Sequence, residues 1–235
     1  MDSATLPRHG RGVRMLHGIN ALVVLILLVT GLALGGLLPG RAVALLGGHL
    51  GTDAAHRLLG LAFAVALVVL VATLPRRAGR LLRDVVRFRH GDWRWPLRFL
   101  AFYGARRGGR APFHDGRFDP AQRIVFMGLV LAVAAVAASG VYLYFWTPAF
   151  PLGQASLAFA IRVHVAAAWL LIACLCLHVI AGSGLPWTHR GLVAAMFGNG
   201  RVPAVLAHTL WPGWASRMVA DTRQRPSIDR DHRDA

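Results

Sequence analysis

The stretch IRVHVAAAWLLIACLCLHVIAGSGL, residues 161–185, decides the fold of this chain. Its one charged residue, Arg162, lies next to its start, where a long side chain reaches the lipid headgroups. A helix of about 20 apolar residues crosses the hydrocarbon core of a bilayer, so this stretch predicts a membrane-spanning helix. Three further stretches of this kind predict an all-α membrane protein, a bundle of four transmembrane helices: about residues 16–38, 54–74 and 124–146.

The composition excludes several classes of protein. Of the 235 residues, 56% are hydrophobic and only 15% are charged, yet the formal net charge is +16, and all 26 basic residues are arginine. A soluble domain carries about a quarter charged residues, and a disordered chain has low hydrophobicity. Nucleic-acid binding needs a soluble basic face, so the apolar composition argues against it. Cys174 and Cys176 are two residues apart in one span and predict neither a disulfide nor covalent haem attachment.

The positions of the arginines predict the orientation of the chain. Three lie in the N-terminal tail, twelve in the loop 75–122 and seven after residue 185, whereas the other two loops hold Arg41 alone. By the positive-inside rule, both termini and the loop 75–122 are predicted to be cytoplasmic. A secretory signal peptide is the competing interpretation of the N-terminus, but its apolar run is too long and further spans follow.

We predict one transmembrane domain over residues 1–215 and a polar C-terminal tail over residues 216–235. Within the basic loop, residues 80–90 read RLLRDVVRFRH and are followed by Trp93 and Trp95. A helix over this segment has one apolar face, formed by Leu81, Leu82, Val85 and Val86. The pattern indicates a helix in the membrane interface, with its arginines at anionic lipid headgroups; a surface for a protein partner is the alternative.

Four histidines lie within the predicted spans or at their ends. His164 and His178 are fourteen residues apart on the fourth span. This spacing puts them on one helical face about 21 Å apart. His56, at the outer start of the second span, is level with His164, and His17, at the inner start of the first, is nearly level with His178. Because neutral imidazole is a good axial ligand for haem iron, the geometry predicts two b-type haems, held by His56/His164 and His17/His178.

Intramembrane histidines and glycines also have other uses in membrane proteins. A proton relay or a haem-free transporter also uses intramembrane histidines, but it would normally bring a carboxylate to the bundle centre, and no predicted span has one in its interior. His49 is an alternative outer ligand to His56, although it lies among glycines, as a loop histidine does. The other histidines are predicted at the interface or in the tails: His9, His90, His114, His189, His208 and His232. Five span glycines would make room for a flat macrocycle or let helices pack closely: Gly18, Gly31, Gly60, Gly128 and Gly140.

Over about residues 8–215, the chain resembles the gamma subunit of membrane-bound formate dehydrogenase. This cytochrome b subunit belongs to a superfamily shared with the cytochromes b of nickel-iron hydrogenases and thiosulfate reductases. The resemblance is carried by RMLHGINALVVLILLVTGL in the first span, HRLLG in the second, RFDPAQRIVFMG and SGVYLY at the two ends of the third, HVAAAWLLIACLCLH in the fourth, and then MFGNGRV and LAHTLWPGW.

The resemblance implies a role in the bacterial inner membrane. In that family a molybdenum or tungsten subunit oxidises formate outside the membrane, and an iron–sulfur subunit passes the electrons to the outer haem. They continue to the inner haem and to menaquinone or ubiquinone near the cytoplasmic face. The family's outer ligands match His56 and His164, and its inner ligands match His17 and His178. A cytochrome b of a hydrogenase, an aldehyde dehydrogenase or a thiosulfate reductase is the alternative within the same fold.

The resemblance also implies a quinone pocket at His178, Asp119, Ala121 and Gln122. Where the family commonly has Asn-Ala-Gly-Gln-Lys, residues 119–123 read Asp-Pro-Ala-Gln-Arg. Asp119 is a candidate proton donor to the reduced quinone. It also suits the N-cap of the third span, with proline at the first helical position, and the two roles can coexist.

Overall fold

The computed structural model describes residues 4–104, 111–146, 153–185 and 189–224. Among them are four helices long and apolar enough to cross a membrane: α1 (Arg11–Leu34), α3 (Gly48–Thr73), α6 (Pro120–Phe145) and α7 (Gly153–Gly182). The prediction of four long apolar helices is confirmed. Each helix begins several residues before its predicted stretch, because hydropathy reports the part that fits the hydrocarbon, whereas caps and turns set the helix ends.

Local turn signals set two of these ends. After α1, Gly36 has a φ of +72°, and Leu37 N–H donates to the carbonyl oxygen of Leu32 at 2.9 Å, which closes the helix in a Schellman-type cap. At the start of α6, Oδ1 of Asp119 accepts a hydrogen bond from Gln122 N–H at 2.8 Å. The predicted N-cap is therefore confirmed.

Shorter elements complete the described chain: β1 (Thr5–Pro7), α2 (Gly40–Leu45), α4 (Pro75–Val86), a 3-10 turn (Asp92–Arg94), α5 (Trp95–Gly104), α8 (Leu192–Phe197), β2 (Arg201–Pro203), α9 (Ala204–Leu210) and α10 (Pro212–Gln224). The chain divides into two compact units. The bundle unit holds residues 15–83 and 125–177, and the arginine-rich unit holds residues 1–14, 84–124 and 178–235.

The core of the bundle unit is small and draws on all four long helices. Its buried side chains are Val24 of α1, Ala132 of α6 and Leu171 of α7, and Phe63 of α3 packs against them. Many other apolar side chains of these helices are more than half exposed, among them Leu22, Val68, Leu131 and Trp169. Such a surface suits lipid rather than water, since lipid tails are as apolar as leucine.

The arginine-rich unit joins segments that are far apart in the sequence. Strand β1 pairs with β2 in antiparallel fashion, with Leu6 opposite Val202. These two side chains belong to a buried cluster with Ala195 of α8, Ala207 and Leu210 of α9, Trp211 between α9 and α10, and Ala215 of α10. The N-terminal segment, most of the basic loop and the C-terminal segment thus lie in one unit.

A buried ion pair ties the basic loop to the start of α6. Nη1 of Arg123 lies 2.9 Å from Oδ2 of Asp92, and the two side chains are only 6% and 13% exposed. The same guanidinium group donates to the carbonyl oxygens of Arg87 at 2.8 Å and Phe118 at 3.1 Å. These extra hydrogen bonds satisfy donors that burial would otherwise leave without partners.

The structure corrects part of the predicted interfacial helix. Helix α4 ends at Val86, before residue 90, and its Val85 is buried, whereas Leu81, Leu82 and Val86 are about half exposed. Trp95, which follows this helix, is buried within the protein. It is 5% exposed, and its Nε1 donates to the carbonyl oxygen of Pro112 at 2.9 Å, so the protein itself supplies the polar partner that an interface would offer.

Two histidines predicted at the interface or in the tails are buried instead. His114 donates from Nε2 to the carbonyl oxygen of Leu210 at 2.6 Å, and its ring meets the edge of Trp95. His189 is 8% exposed. Burial lowers the pKa of both imidazoles, so they favour the neutral form. The beginning of the predicted polar tail is helical in α10, and residues 225–235, with His232, lie outside the described residues.

Candidate functional site

Two histidine side chains of the bundle unit face each other. His56 lies on α3 and His164 on α7, and their ring centroids are 6.3 Å apart, with 83° between the ring planes. Both residues are half-buried. The structure therefore brings together the two residues that the sequence placed at one level of the bundle.

A hydroxyl group lies on the Nδ1 side of each ring. Oγ1 of Thr30, on α1, is 2.9 Å from Nδ1 of His56, and Oγ of Ser139, on α6, is 3.0 Å from Nδ1 of His164. Each hydroxyl donates its proton to the carbonyl oxygen four residues earlier in its own helix, at 2.8 Å and 2.5 Å respectively. The ring nitrogen is then the donor in each pair, which leaves the lone pair of Nε2 for a metal.

A glycine follows each hydroxyl residue and leaves the space that the imidazole fills. A Cβ at Gly31 would lie 3.2 Å from Cε1 of His56, and a Cβ at Gly140 would lie 3.2 Å from Cε1 of His164. Either contact is tighter than ordinary van der Waals packing, so a side chain there would push the ring away. These two glycines, predicted to serve a macrocycle or helix packing, lie directly against the candidate ligands.

The spacing of the rings fits one iron between two imidazoles. A metal binds an imidazole nitrogen at about 2 Å, and that nitrogen lies about 1 Å from the ring centre, so two axial rings have centroids about 6 Å apart. The observed 6.3 Å agrees with this value. Within the described part of the chain, no group of three or more His, Cys or Asp side chains could hold a metal ion. Haem needs only axial ligands from the protein, because its own nitrogens supply the rest.

The comparison with protein families also indicates haem binding. Residues 8–199 match the prokaryotic cytochrome b561 family. The chain belongs to this family. It is a multi-pass membrane cytochrome b, a class that binds b-type haem and transfers electrons. The match supports the wider cytochrome b superfamily of the resemblance, and the chain matches none of the curated proteins with which it was compared.

The other predicted ligands of this cytochrome b lie near helix ends. His17 is in the second turn of α1 and His178 near the end of α7, and both are half-buried. His17 belongs to the bundle unit and His178 to the arginine-rich unit, so their pairing at a second haem stays a prediction. His49, the alternative outer ligand, is exposed in the first turn of α3.

The four predicted quinone-pocket residues of the cytochrome belong to the arginine-rich unit, and three of them lie at the start of α6. Asp119 is buried and caps the helix through Gln122 N–H. The side-chain oxygen Oε1 of Gln122 accepts a hydrogen bond from Nε1 of Trp211 at 3.2 Å. Ala121, which lies between Asp119 and Gln122 in the sequence, is half-buried. His178 lies in the same unit, and its place in a pocket with them stays a prediction.

Burial dominates the ionisation of Asp119. The residue is 4% exposed, and its removal from water raises the pKa of its carboxyl group to about 6. Two backbone N–H groups of α6 and the charges of Arg123 and Arg8 act in the opposite direction without outweighing it. The carboxyl group therefore exchanges its proton close to neutral pH, which is what proton delivery requires.

A buried arginine of the N-terminal segment lies in the same unit. The guanidinium carbon of Arg8 is 3.8 Å from the ring centre of Trp211 and 4.4 Å from that of Trp214, and Nη2 donates to the carbonyl oxygen of Arg117 at 2.7 Å. Burial lowers its pKa to about 9, and Asp119 acts to raise it. Within the described residues its Nε and Nη1 have no hydrogen-bond partner.

Thr30, Ser139 and Arg8 are residues of these sites that were not predicted from the sequence. A signal for the first two was present: each precedes a glycine, and a histidine follows 26 or 25 residues later, at His56 or His164. Arg8 was counted only as one of the charges that set the orientation. Its burial depends on tryptophans about 200 residues away, and no local pattern reports that contact.

Proposed function

We propose that this chain is the membrane-anchoring di-haem cytochrome b subunit of a formate dehydrogenase complex. In this role it accepts electrons from an iron–sulfur subunit on the periplasmic side and passes them to a quinone near the cytoplasmic side of the bacterial inner membrane. The observation that carries the proposal is the facing pair His56 and His164. Their Nδ1 atoms are occupied by hydroxyl groups, and two neutral imidazoles so held suit the axial positions of a haem iron.

The chain's own residues bind, orient and bury the cofactors. His56 and His164 would hold the outer haem, and His17 and His178 would hold the inner one. When bound, b-type haem supplies a one-electron carrier at membrane depth. The apolar side chains of the bundle exclude water from this path, and no side chain takes part in covalent chemistry.

A quinone pocket at Asp119, Ala121, Gln122 and His178 would complete the path. Reduction of a quinone to a quinol takes up two electrons and two protons. The raised pKa of Asp119 suits it to donate one proton to a quinone oxygen and to recover it from the cytoplasm. Because Oε1 of Gln122 is bonded to Trp211, its amide N–H groups face away from that bond and can donate to a quinone carbonyl.

The proposed orientation places both termini in the cytoplasm. The joint folding of the three arginine-rich segments in one unit supports it, since all three must then lie on one side of the membrane. The proposed partners are an iron–sulfur subunit and a molybdenum or tungsten catalytic subunit on the other side. Inward electron transfer with cytoplasmic proton uptake separates charge, which stores about 2.3 kcal/mol per charge at 100 mV.

A second candidate is the cytochrome b of another membrane-bound oxidoreductase, such as a hydrogenase, an aldehyde dehydrogenase or a thiosulfate reductase. Membership of the cytochrome b family supports this candidate as much as the formate dehydrogenase subunit, because the same fold and histidine pair would serve a cytochrome b of any of these complexes. The catalytic subunit that co-purifies with the chain distinguishes them.

The haem assignment is tested on the purified full-length chain by haem content and a reduced-minus-oxidised spectrum. We expect two b-type haems in the wild type, and the loss of one in His56→Ala and in His164→Ala. The exposed His49 is the matched control, and His49→Ala keeps both. Full haem content in His56→Ala would show the assignment to be wrong. Formate added to intact membranes then tests the donor, since rapid haem reduction is expected with formate and not with hydrogen.

A further inference from the structure

The two candidate ligands of the bundle unit are held in the same way, each by a buried hydroxyl group of a neighbouring helix. Thr30 is 4% exposed and Ser139 is 7% exposed, so water does not compete for their hydroxyl groups. Each contacts the Nδ1 atom of one histidine, at 2.9 Å for His56 and 3.0 Å for His164. Buried hydroxyl groups in these positions affect which ring nitrogen carries the proton and how strong a base the other nitrogen is.

We propose that Thr30 and Ser139 are positioning residues for the outer haem. They hold His56 and His164 in the tautomer that presents Nε2 to the iron, and they lower its reduction potential. This inference rests on the proposed function, because it requires a haem iron between the two rings.

The hydroxyl protons determine the tautomer of each ring. A hydroxyl group has one proton to donate, and the proton of Thr30 is used on a carbonyl oxygen of its own helix at 2.8 Å. The Ser139 proton is used in the same way at 2.5 Å. Each hydroxyl oxygen can then only accept at its histidine, at 2.9 Å for His56 and 3.0 Å for His164. The ring proton therefore lies on Nδ1, and Nε2 is left to bind the metal.

The electron density of each ring affects the reduction potential of the iron that it binds. An N–H group that donates to oxygen releases electron density into its ring and makes the other nitrogen a stronger base. A stronger axial base stabilises the oxidised iron more than the reduced iron, which lowers the potential. Two such rings act on one metal, so the two hydroxyl groups lower the potential in the same direction.

The glycines make these hydrogen bonds geometrically accessible. The ring of His56 lies against Gly31, where an added Cβ would be 3.2 Å from Cε1 and 3.8 Å from Nδ1. At Gly140 the same distances to the ring of His164 are 3.2 Å and 3.7 Å. The agreement between the two sites indicates that the hydroxyl residue and the following glycine work together, since the glycine lets the ring approach the hydroxyl.

The test uses the purified full-length chain with its haems and a potentiometric titration of the b-type spectrum. Thr30→Val replaces the hydroxyl group by a methyl group and keeps the shape of the side chain. Ser139→Ala removes the hydroxyl group of serine and changes nothing else in the side chain. We expect either variant to keep its haem and to raise the midpoint potential of one haem. A tenfold change in the ratio of reduced to oxidised haem corresponds to about 59 mV for a one-electron couple. The shifts should add in the double variant.

Two further variants separate the hydrogen bond from simple structural effects. Thr30→Ser retains the hydroxyl group and should return the potential to the wild-type value. Thr52→Val is the matched control, because Thr52 is fully buried in α3 and donates to the carbonyl oxygen of Gly48 at 2.7 Å. This control should leave the potential unchanged.

The outcomes separate this inference from the proposed function. An unchanged potential in both Thr30→Val and Ser139→Ala, with haem retained, overturns the inference and leaves the haem assignment intact. Loss of haem from Thr30→Val that Thr30→Ser restores supports the positioning role, whereas equal loss from both variants overturns it. Full haem content after His164→Ala refutes the proposed site itself, independently of the hydroxyl variants.

Discussion

Asp119→Asn separates the two roles of the carboxyl group at the start of α6. Asparagine keeps a side-chain oxygen that accepts from Gln122 N–H, so the helix cap is retained, but it has no proton to give. In the wild type the pKa of Asp119 is raised to about 6 by burial. The protonated fraction then falls from about one half at pH 6 to about one tenth at pH 7.

If Asp119 delivers a proton to the quinone, the reaction rate follows this fraction. The sign is fixed by the raised pKa: the donor form is present below pH 6 and is lost as the pH rises. We expect the rate of haem oxidation by quinone to fall about fivefold between pH 6 and pH 7, and about tenfold for each further pH unit. Asp119→Asn should be slow at pH 5 and nearly independent of pH.

The assay mixes the dithionite-reduced full-length chain with a short-chain ubiquinone or menaquinone analogue and follows the b-type absorbance between pH 5 and pH 8.5. Asp84→Asn is the matched control, because Asp84 is an exposed carboxylate of the same unit and the substitution changes the charge equally. If Asp119→Asn shows the wild-type rate and the same fall with pH, the proton role is refuted and only the helix cap remains.

Three further predictions concern buried contacts. Gly31→Ala should lower haem content, because its Cβ would lie 3.2 Å from the His56 ring. Gly60→Ala should keep the wild-type haem content, because its Cβ would lie 3.8 Å from the nearest atom. A pyridine haemochrome assay measures the haem content of both variants. Arg123→Met should destabilise the chain by about 3 kcal/mol in a thermal or denaturant unfolding series, because it leaves a buried carboxylate without its ion-pair partner. Arg89→Met removes an exposed ion pair and should cost less than about 1 kcal/mol. Arg8→Met should move the fall in quinone-reduction rate to higher pH, because its charge lowers the pKa of the carboxyl group that caps α6.

The sequence predicted the parts of the fold that a bilayer dictates. A helix in hydrocarbon must be long and apolar over a fixed distance, so hydropathy alone found all four long helices. The same constraint allowed the depth of each residue in the membrane to be predicted, because the rise per residue of a helix converts a position in a span into a depth. Reading depth in this way brought His56 and His164 to one level before any contact was known.

The sequence did not predict which aromatic and imidazole side chains of the arginine-rich unit are buried. Trp95 and His114 lie among basic residues, a pattern that suits the membrane interface and a protein core equally well. The difference lies in distant partners: Trp95 donates to the carbonyl oxygen of Pro112, and His114 donates to that of Leu210. A hydropathy pattern does not distinguish these two environments. The burial of His114 depends on its hydrogen bond to a carbonyl oxygen 96 residues away.

The hydroxyl residues were missed for a different physical reason. Serine and threonine within a helix ordinarily donate to the carbonyl oxygen four residues earlier, so Thr30 and Ser139 looked locally satisfied. That local bond is what makes each oxygen an acceptor for histidine, because its only proton is already used. The α1–α3 and α6–α7 helix pairs therefore meet the same requirement with the same order of residues: a hydroxyl, a glycine, and a histidine on the next long helix. The proposed iron between His56 and His164 would account for this correspondence, because each half of the bundle would supply one ligand and the group that orients it.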